Sequence, residues 1–465
     1  DDILDIDNSD FITIDENGYY LLSQKDDNPS SSTSNIKRIT LKASYGKNET
    51  FSIDLSAFAT GSSKKKTATN SVPFNKTVTS YSFSTTDVPK EIMDLNQVYG
   101  NETMTFHLTV PTATKAAVAR MKELKLSFPN HLIISGVTVN GSTVSVGSDN
   151  SITLSNWPTN NNITLVANVS AINVKAPSSS AANVSFVKGA NLEAKGEILV
   201  SGIVDRSDVI ETAIAANPVI VMNWTSDLSD ILVTGANGKF LYEFNFDNLG
   251  KVTLNNIPDF LHDKDVCLDL YYLTVKLMLD NGLPIDGKIR GRLVAKDKQG
   301  EELAAVAIPE FRLPAAGEST ILLTKQTTGN ELDVVVPTLA DLIKTVPHTI
   351  EMTDIHAVSD ENMVATVNLG VDYKIENRYA FEAPLAFDKD AQIVYNDTIT
   401  GLNDDLKHLS FKEENGTIDG YLKANADITN KIPVTLHVDG YGIDADGNEI
   451  SSEELNIYCE QNIAP

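Results

Sequence analysis

Apolar and polar residues alternate with a period of two along most of this chain, which is typical of half-buried β-strands. Stretches such as 124–129, 163–169 and 361–376 show this alternation clearly. Short segments rich in Asn, Asp, Gly, Ser and Pro separate them, and these residues favour turns. The pattern predicts a mainly β protein, made of antiparallel β-sandwich-like domains in series with a few short helices.

One strand pattern occurs twice. An Asn-x-[Leu/Ile]-Pro segment occupies 281–284 and 430–433, and an Asp-x-x-Gly segment follows at 297–300 and 444–447. Proline cannot donate to a strand ladder, and glycine permits a tight turn, so each copy predicts strand, corner, strand, turn, strand. We interpret the two copies as one internal repeat. The residues expected to face a core between corner and turn are Ile289 and Leu293 in the first copy, and Leu436 and Val438 in the second.

The length of 465 residues indicates several domains. Loop-forming residues and the change in net charge along the chain predict four segments. They are an N-terminal hairpin and linker (1–35), a β-rich domain with one helix (36–216), a β-sandwich-like domain with repeat copy 1 (217–330) and another with repeat copy 2 (331–465).

Several local features are predicted within these segments. The small polar stretch 28–35 is expected to be a flexible linker or an exposed loop. Asn237-Gly238 is a typical hairpin turn. Helical spacing or proline punctuation predicts four short helices, at 112–124, 209–216, 339–343 and 402–406.

The formal net charge of −26 is unevenly distributed, with −2 over residues 1–200 and −24 over residues 201–465. Nucleic acids and anionic lipid headgroups require neutralising Lys or Arg, so the acidity argues against nucleic-acid binding. Solubility explains such an acid excess, and a cation-dependent or basic partner is the alternative.

No run of 18 apolar residues occurs, so the sequence predicts no transmembrane segment. The chain starts at Asp1 without a basic or apolar leader, and we expect any signal segment to be already removed. Cys267 and Cys459 lie too far apart for a zinc or Cys-x-x-Cys motif. Two buried thiols and a single disulfide both remain open.

No catalytic, cofactor-binding or metal-binding residue can be assigned from motifs, and no cofactor is expected. Oxygen ligands at Asp444 and Asp446 before Gly447 suggest a calcium loop, but the repeat has a lysine in the equivalent turn. The pattern therefore favours a hairpin turn over a calcium site. Trp157, in a polar loop, could stack on a sugar or pack at a sandwich edge. The three lysines at 64–66 could bind an anion or be solvated.

Four features resemble uncharacterised exported lipoproteins of gut Bacteroidetes. They are Gly18-Tyr19-Tyr20 after an acidic start, the strand end at 126–129, the helix-then-proline pattern at 339–347 and the Asn-x-[Leu/Ile]-Pro strands. The resemblance implies export to the outer membrane or cell surface, with a lipid anchor N-terminal to Asp1, and it assigns no catalytic residue.

Ten Asn-x-[Ser/Thr] sequons offer a different hypothesis, a glycosylated eukaryotic secretory protein. They occur at Asn48, Asn75, Asn101, Asn140, Asn162, Asn168, Asn183, Asn223, Asn396 and Asn415. A composition so rich in Asn, Ser and Thr produces many sequons by chance, so the bacterial interpretation is preferred.

The sequence favours a non-enzymatic cell-envelope or surface-exposed binding or scaffold protein, with a glycan or another protein as partner. The alternative is a carbohydrate-active or other hydrolase whose carboxylates converge only in the fold.

Overall fold

The computed structural model describes residues 12–14, 20–56, 71–109, 122–155, 162–175, 182–205, 219–246, 251–254, 266–268, 270–386, 413–414, 417–418, 436–443, 446–449 and 460–463. The predicted fold class is confirmed, because β-strands in antiparallel sheets dominate these residues. A 3₁₀ helix, Leu339–Ile343, lies where one short helix is predicted.

The strands up to residue 240 are β1 (Ile12–Ile14), β2 (Tyr20–Ser34), β3 (Ile39–Tyr45), β4 (Asn48–Asp54), β5 (Ser71–Thr85), β6 (Ile92–Thr109), β7 (Glu123–Ser127), β8 (Leu132–Val139), β9 (Ser142–Val144), β10 (Ser151–Leu154), β11 (Asn162–Asn173), β12 (Ala182–Val187), β13 (Asn191–Asp205), β14 (Val219–Leu228), β15 (Ile231–Val233) and β16 (Gly235–Phe240).

The later strands are β17 (Glu243–Phe244), β18 (Lys251–Thr253), β19 (Thr274–Asn281), β20 (Gly287–Lys296), β21 (Glu302–Leu313), β22 (Gly317–Thr324), β23 (Asp333–Val335), β24 (Thr349–Ser359), β25 (Ala365–Asn368), β26 (Tyr373–Pro384), β27 (Glu413–Glu414), β28 (Thr417–Ile418), β29 (Leu436–Asp439) and β30 (Glu460–Ile463).

The first sandwich consists of two facing sheets. Sheet I has the order β10-β7-β13-β5-β3-β15, with β12 also on β13. Sheet II has the order β25-β16-β6-β11-β8-β9, with β14 on β6 and β4 on β14. Trp224 of sheet II donates its indole N–H to Thr79 Oγ1 of sheet I at 2.9 Å, and Phe106 packs 5.2 Å from the Trp224 ring. The inner faces of the two sheets therefore form one core.

The second sandwich has the same arrangement. Sheet III has the order β1-β2-β26-β19-β22-β23, and sheet IV has the order β17-β24-β20-β21 with β18 on β24. Val275 and Phe381 of sheet III line the same interior space as Leu293 and Met352 of sheet IV. The alternating residues of these strands are thus buried between the two sheets.

The first sandwich is inserted in the chain between strands of the second. β2 pairs antiparallel with β26, so that Leu21 lies opposite Pro384 and Ser34 lies opposite Tyr373. Because the two strands are antiparallel, the chain enters β2 and leaves β26 at the same end of sheet III. The chain crosses to the first sandwich at the other end, after residue 34.

A second connection joins the two sandwiches. β25 lies between β24 and β26 in the chain, yet it pairs with β16 of sheet II. Next to it, the Leu369 N–H donates to Thr234 O at 2.9 Å, and the Gly370 N–H donates to Ile36 O at 2.7 Å. Arg38 Nε donates to Leu369 O at 3.2 Å. These backbone bonds hold the first sandwich against the second.

The first repeat copy folds as predicted. Asn281 is fully buried and its side-chain amide donates to Ile285 O and Pro314 O, which holds the corner between β19 and β20. Ile289 and Leu293 are buried in the core. Gly300 has a φ of 88°, in the left-handed region that glycine adopts readily.

In the second copy, the described turn resembles the first. Gly447 has a φ of 83°, and Ile443 and Glu449 form a β-bridge across the turn. The segment 430–433 and the burial of Leu436 and Val438 lie outside the described residues. The duplication therefore stays a prediction, although both glycines occupy alike turns.

Three local predictions are wrong. Residues 30–34, expected in a linker, belong to β2, because pairing with β26 resumes there after a register shift. Asn237-Gly238 is not a hairpin but lies within β16, where a Cβ on residue 238 would come 2.1 Å from Asp94 O. Close approach to β6 thus requires the glycine. Leu124, predicted as the end of a helix, is buried in β7.

Other predicted elements lie outside the described residues, namely the rest of the helix over 112–121 and the helices at 209–216 and 402–406. The N-terminal hairpin is confirmed by the antiparallel pairing of β1 with β2.

The four-segment division stays a prediction about domains, and strand pairs cross each of its boundaries: β2 with β26, β14 with β6 and β20 with β24. The chain divides into two compact units, one of residues Asp1–Tyr395 and the other of residues Asn396–Pro465. In the second unit, β27 pairs with β28 and β29 pairs with β30. No helix among the described residues has the length and apolar character that a membrane crossing needs.

Candidate functional site: an uncharged outer face

The outer face of sheet II is built from strands whose inner positions are strongly apolar. On β6, Phe106 and Leu108 are fully buried, and on β11, Ile163 and Leu165 are buried to the same extent. Successive strand residues point to opposite faces, so the residues between them point to solvent. We call the following outward residues the neutral face: Thr103, Thr105, His107 and Thr109 on β6; Asn162, Thr164, Val166, Asn168 and Ser170 on β11; Thr50 on β4; Asn223 and Thr225 on β14; and Thr138 on β8.

Strand pairing arranges the neutral face in rows. Thr225 lies opposite His107, and His107 lies opposite Thr164, so one row crosses three strands. His107 Nδ1 is 3.1 Å from Thr164 Oγ1. In the next row, Thr50 Oγ1 donates to Asn223 Oδ1 at 3.1 Å. The side chains of each row therefore form a hydrogen-bonding surface rather than isolated polar groups.

The residues of the neutral face include no Asp, Glu, Lys or Arg, but the outer side of sheet II is not free of charge. Asp227 points outward opposite Thr105, Asp54 points outward on β4, and Asp94 of β6 pairs with Lys175 at 2.6 Å. The outer faces of the other sheets carry ion pairs, which satisfy charged side chains across or along strands. Examples are Lys195–Glu193 at 3.4 Å on sheet I, Lys276–Glu382 at 2.7 Å on sheet III and Lys288–Asp360 at 2.9 Å on sheet IV.

Charged groups do border the neutral face. Asp227 points outward on β14, opposite Thr105, and accepts a hydrogen bond from Tyr45 Oη at 3.2 Å. Asp54 ends β4, and the backbone N–H of Ser56 holds the pKa of that carboxyl below its ordinary value. The lowered pKa keeps the Asp54 carboxyl ionised at neutral pH.

The first sandwich is also less acidic than the rest of the chain. Residues 36–240 carry 18 Lys+Arg against 15 Asp+Glu, whereas all other residues carry 19 against 48. The neutral face therefore lies on the part of the molecule that repels acidic partners least.

The outer side of sheet II also accounts for five of the ten sequons. In a strand, residues two apart share one face, so an outward row of Asn, Thr and Ser produces Asn-x-[Ser/Thr] automatically. The sequons at Asn48, Asn101, Asn162, Asn168 and Asn223 all fall on strands of sheet II. These five follow from the outward Asn, Ser and Thr residues of one sheet, so their number is no argument for glycosylation.

The residues singled out from sequence do not form a site in the described structure. Asp446 and Gly447 lie in a turn, while Asp444 is outside the described residues. The described residues contain no group of three or more potential metal-ligating side chains. Trp157, the lysines at 64–66 and Cys459 are also outside the described residues. Cys267 is a half-buried free thiol.

A cavity lies inside the second sandwich, between sheets III and IV. The centre of a water-sized sphere can move within about 20 Å³ of this cavity. The walls are apolar residues such as Leu277, Leu293 and Ile350. This is about the space of one water molecule, and an apolar cavity of that size stays dry. It is a packing defect and not a ligand site.

Sequence reasoning missed the neutral face. The sequons do record Asn and Thr at alternate, outward positions of single strands. Which strands lie side by side, and hence that the polar positions form one surface, follows only from the pairing.

No family model matches the chain, and no curated protein matches it. A solved structure of a Parabacteroides distasonis protein believed to be secreted is 11% identical, with a TM-score of 0.21, over 82% of this chain and 95% of that chain. A calcium-binding mutant of Bacteroides uniformis β-glucuronidase 2 is 11% identical, with a TM-score of 0.12, over 64% and 28% of the two chains. A GH78 family rhamnosidase of Bacillus sp. GL1 is 12% identical, with a TM-score of 0.13, over 77% and 35%. Scores this low carry no argument about activity, so the function is argued from the geometry.

Proposed function

We propose that this chain is a non-enzymatic, exported protein of the outer membrane or cell surface that binds or scaffolds through the neutral face. The observation that carries the proposal is a pair of adjacent rows of uncharged hydrogen-bonding side chains across four strands of sheet II. Solvent-facing strands normally include charged residues for solubility, so two adjacent rows without a charged side chain suggest a contact surface.

The proposal includes the lipid anchor N-terminal to Asp1 that the resemblance implies. The backbone bonds beside β25 keep the first sandwich in place on the second.

Hydroxyl-radical footprinting tests the proposal, with cell-associated protein compared to purified protein. On the cell surface, His107 on the neutral face and Ile133, an exposed neighbour on β8, should be oxidised several-fold less than in solution, because a partner covers them. Leu232 on sheet I and Met278 on sheet III, both about 39% exposed, are the controls and should be unchanged.

Equal oxidation of His107 in the two samples, with protection of the control residues, would contradict the proposed contact surface. Turnover in a broad hydrolase screen would favour the hydrolase alternative instead.

A further inference from the structure

We infer that the neutral face binds an uncharged polysaccharide, an inference that rests on the proposed function and names its ligand. The rows of Thr and Asn side chains repeat at about 4.8 Å between strands and about 6.6–6.8 Å along them. Each hydroxyl and each amide can both donate and accept a hydrogen bond. Sugar hydroxyls have the same dual character, so a glycan chain lying across the strands can bond to the face at several successive positions.

Charge excludes polyanions as the ligand. Nucleic acids, uronates and sulfated glycans are held by Lys and Arg, and none occurs among the residues of the neutral face. The Asp227 carboxylate, opposite Thr105, and the Asp54 carboxylate on β4 also repel them. A neutral polymer meets neither obstacle.

The composition argues against a protein partner. Protein interfaces are anchored by a desolvated apolar or aromatic centre, with Trp, Tyr and Arg prominent. The apolar side chains within and beside the neutral face are aliphatic, namely Val166 within it and Ile133, Val219 and Val221 beside it, so none of them supplies an aromatic anchor. A second copy of this chain would meet the same deficiency, because it would present the same surface.

The shape argues against a small molecule. Small ligands are bound in concave pockets of about 300–1,000 Å³ that bury most of their surface. A sheet face offers contacts on one side only. An extended polymer compensates for this because many weak contacts act together along its length.

Native electrophoresis in gels containing a polysaccharide tests the inference. The full chain should be retarded by at least one neutral polymer among amylopectin, galactomannan and xyloglucan, and not by polygalacturonate. The double variant Thr105→Val with Thr164→Val keeps the β-branched shape and removes two hydroxyls. It should bind about tenfold more weakly, a change of about 1.4 kcal/mol.

The matched control is Thr40→Val with Thr153→Val. Both threonines are exposed on strands of sheet I, so the same substitution is made on the other outer face. The control should bind like the wild type. Equal retardation of the two double variants, retardation by polygalacturonate, or no retardation by any neutral polymer would overturn the inference.

A second arm separates this inference from the proposed function. Thr103 is exposed and is replaced by p-benzoylphenylalanine for photo-crosslinking on cells. A discrete adduct with a protein would refute the polysaccharide and leave the neutral face as a contact surface. Absence of both an adduct and a neutral-polymer shift would refute the proposed function as well.

Discussion

Replacing Trp224 with alanine should lower the free energy of unfolding of the first sandwich by about 3–5 kcal/mol, the usual cost of truncating a buried Trp. The side chain is 1% exposed and its ring packs against Phe106. Its indole N–H donates to Thr79 Oγ1 and to Ser226 Oγ, both at 2.9 Å. Alanine removes the ring between the sheets and leaves a cavity that the surrounding strands can only partly fill. Urea unfolding followed by circular dichroism measures the loss.

Trp224→Phe provides the matched comparison. Phenylalanine keeps most of the apolar volume but lacks the donor, and the Thr79 and Ser226 hydroxyls still bond to each other. The expected loss is about 1–3 kcal/mol. Losses of equal size for the two variants would show that the hydrogen bonds, and not ring packing, dominate at this position.

The stability of the first sandwich should fall as the pH is lowered from 6.5 to 4. His131 is fully buried, and burial lowers the pKa of its imidazole to about 4 from the ordinary 6.5. Between these values the unfolded chain binds a proton that the folded chain does not, so acid favours unfolding. The stability linked to the neutral His131 side chain is fully present above pH 6.5, and about 3 kcal/mol of this stability is lost by pH 4.

Tyr81 is the titratable group whose side chain contacts this imidazole among the described residues. Its hydroxyl lies 2.8 Å from His131 Nε2, and burial raises its pKa well above the ordinary value, so it stays protonated throughout this range. The neutral imidazole therefore keeps one hydrogen bond, while its Nδ1 atom has no hydrogen-bond partner in the part of the chain that the structure describes.

His131→Gln isolates the effect, because glutamine does not titrate and can retain a hydrogen bond to Tyr81. The many carboxylates titrate in both proteins and cancel in the comparison. The unfolding free energy of the wild type minus that of the variant should decrease by about 3 kcal/mol from pH 7 to pH 4. A constant difference across this range would mean that His131 is protonated in the folded state.

Much of the fold follows from local sequence. Period-two alternation predicts the strands, and the turn at Gly300 and the corner at Asn281 lie where their residue types predict, because those conformations are set by the residues themselves. The short helix at 339–343 is predicted for the same reason.

Long-range pairing is the part that sequence does not reveal. β2 pairs with β26 more than 300 residues later, and alternation gives no information about partners. Asn237-Gly238 has the strongest hairpin signal in its region, yet sheet II uses its glycine for close packing against β6. Tertiary contacts override the local preference there. The neutral face was hidden for the same reason, since it exists only once β4, β14, β6 and β11 lie side by side.

The most direct test of the neutral face places charges on it. Thr105→Glu with Thr164→Glu introduces two carboxylates at its centre, and Thr40→Glu with Thr153→Glu introduces the same two on sheet I. The measurement is retention of each folded variant on cell-surface material from the native source. The account predicts that the first pair abolishes retention and that the second pair leaves it unchanged. Equal retention of the two variants would contradict it.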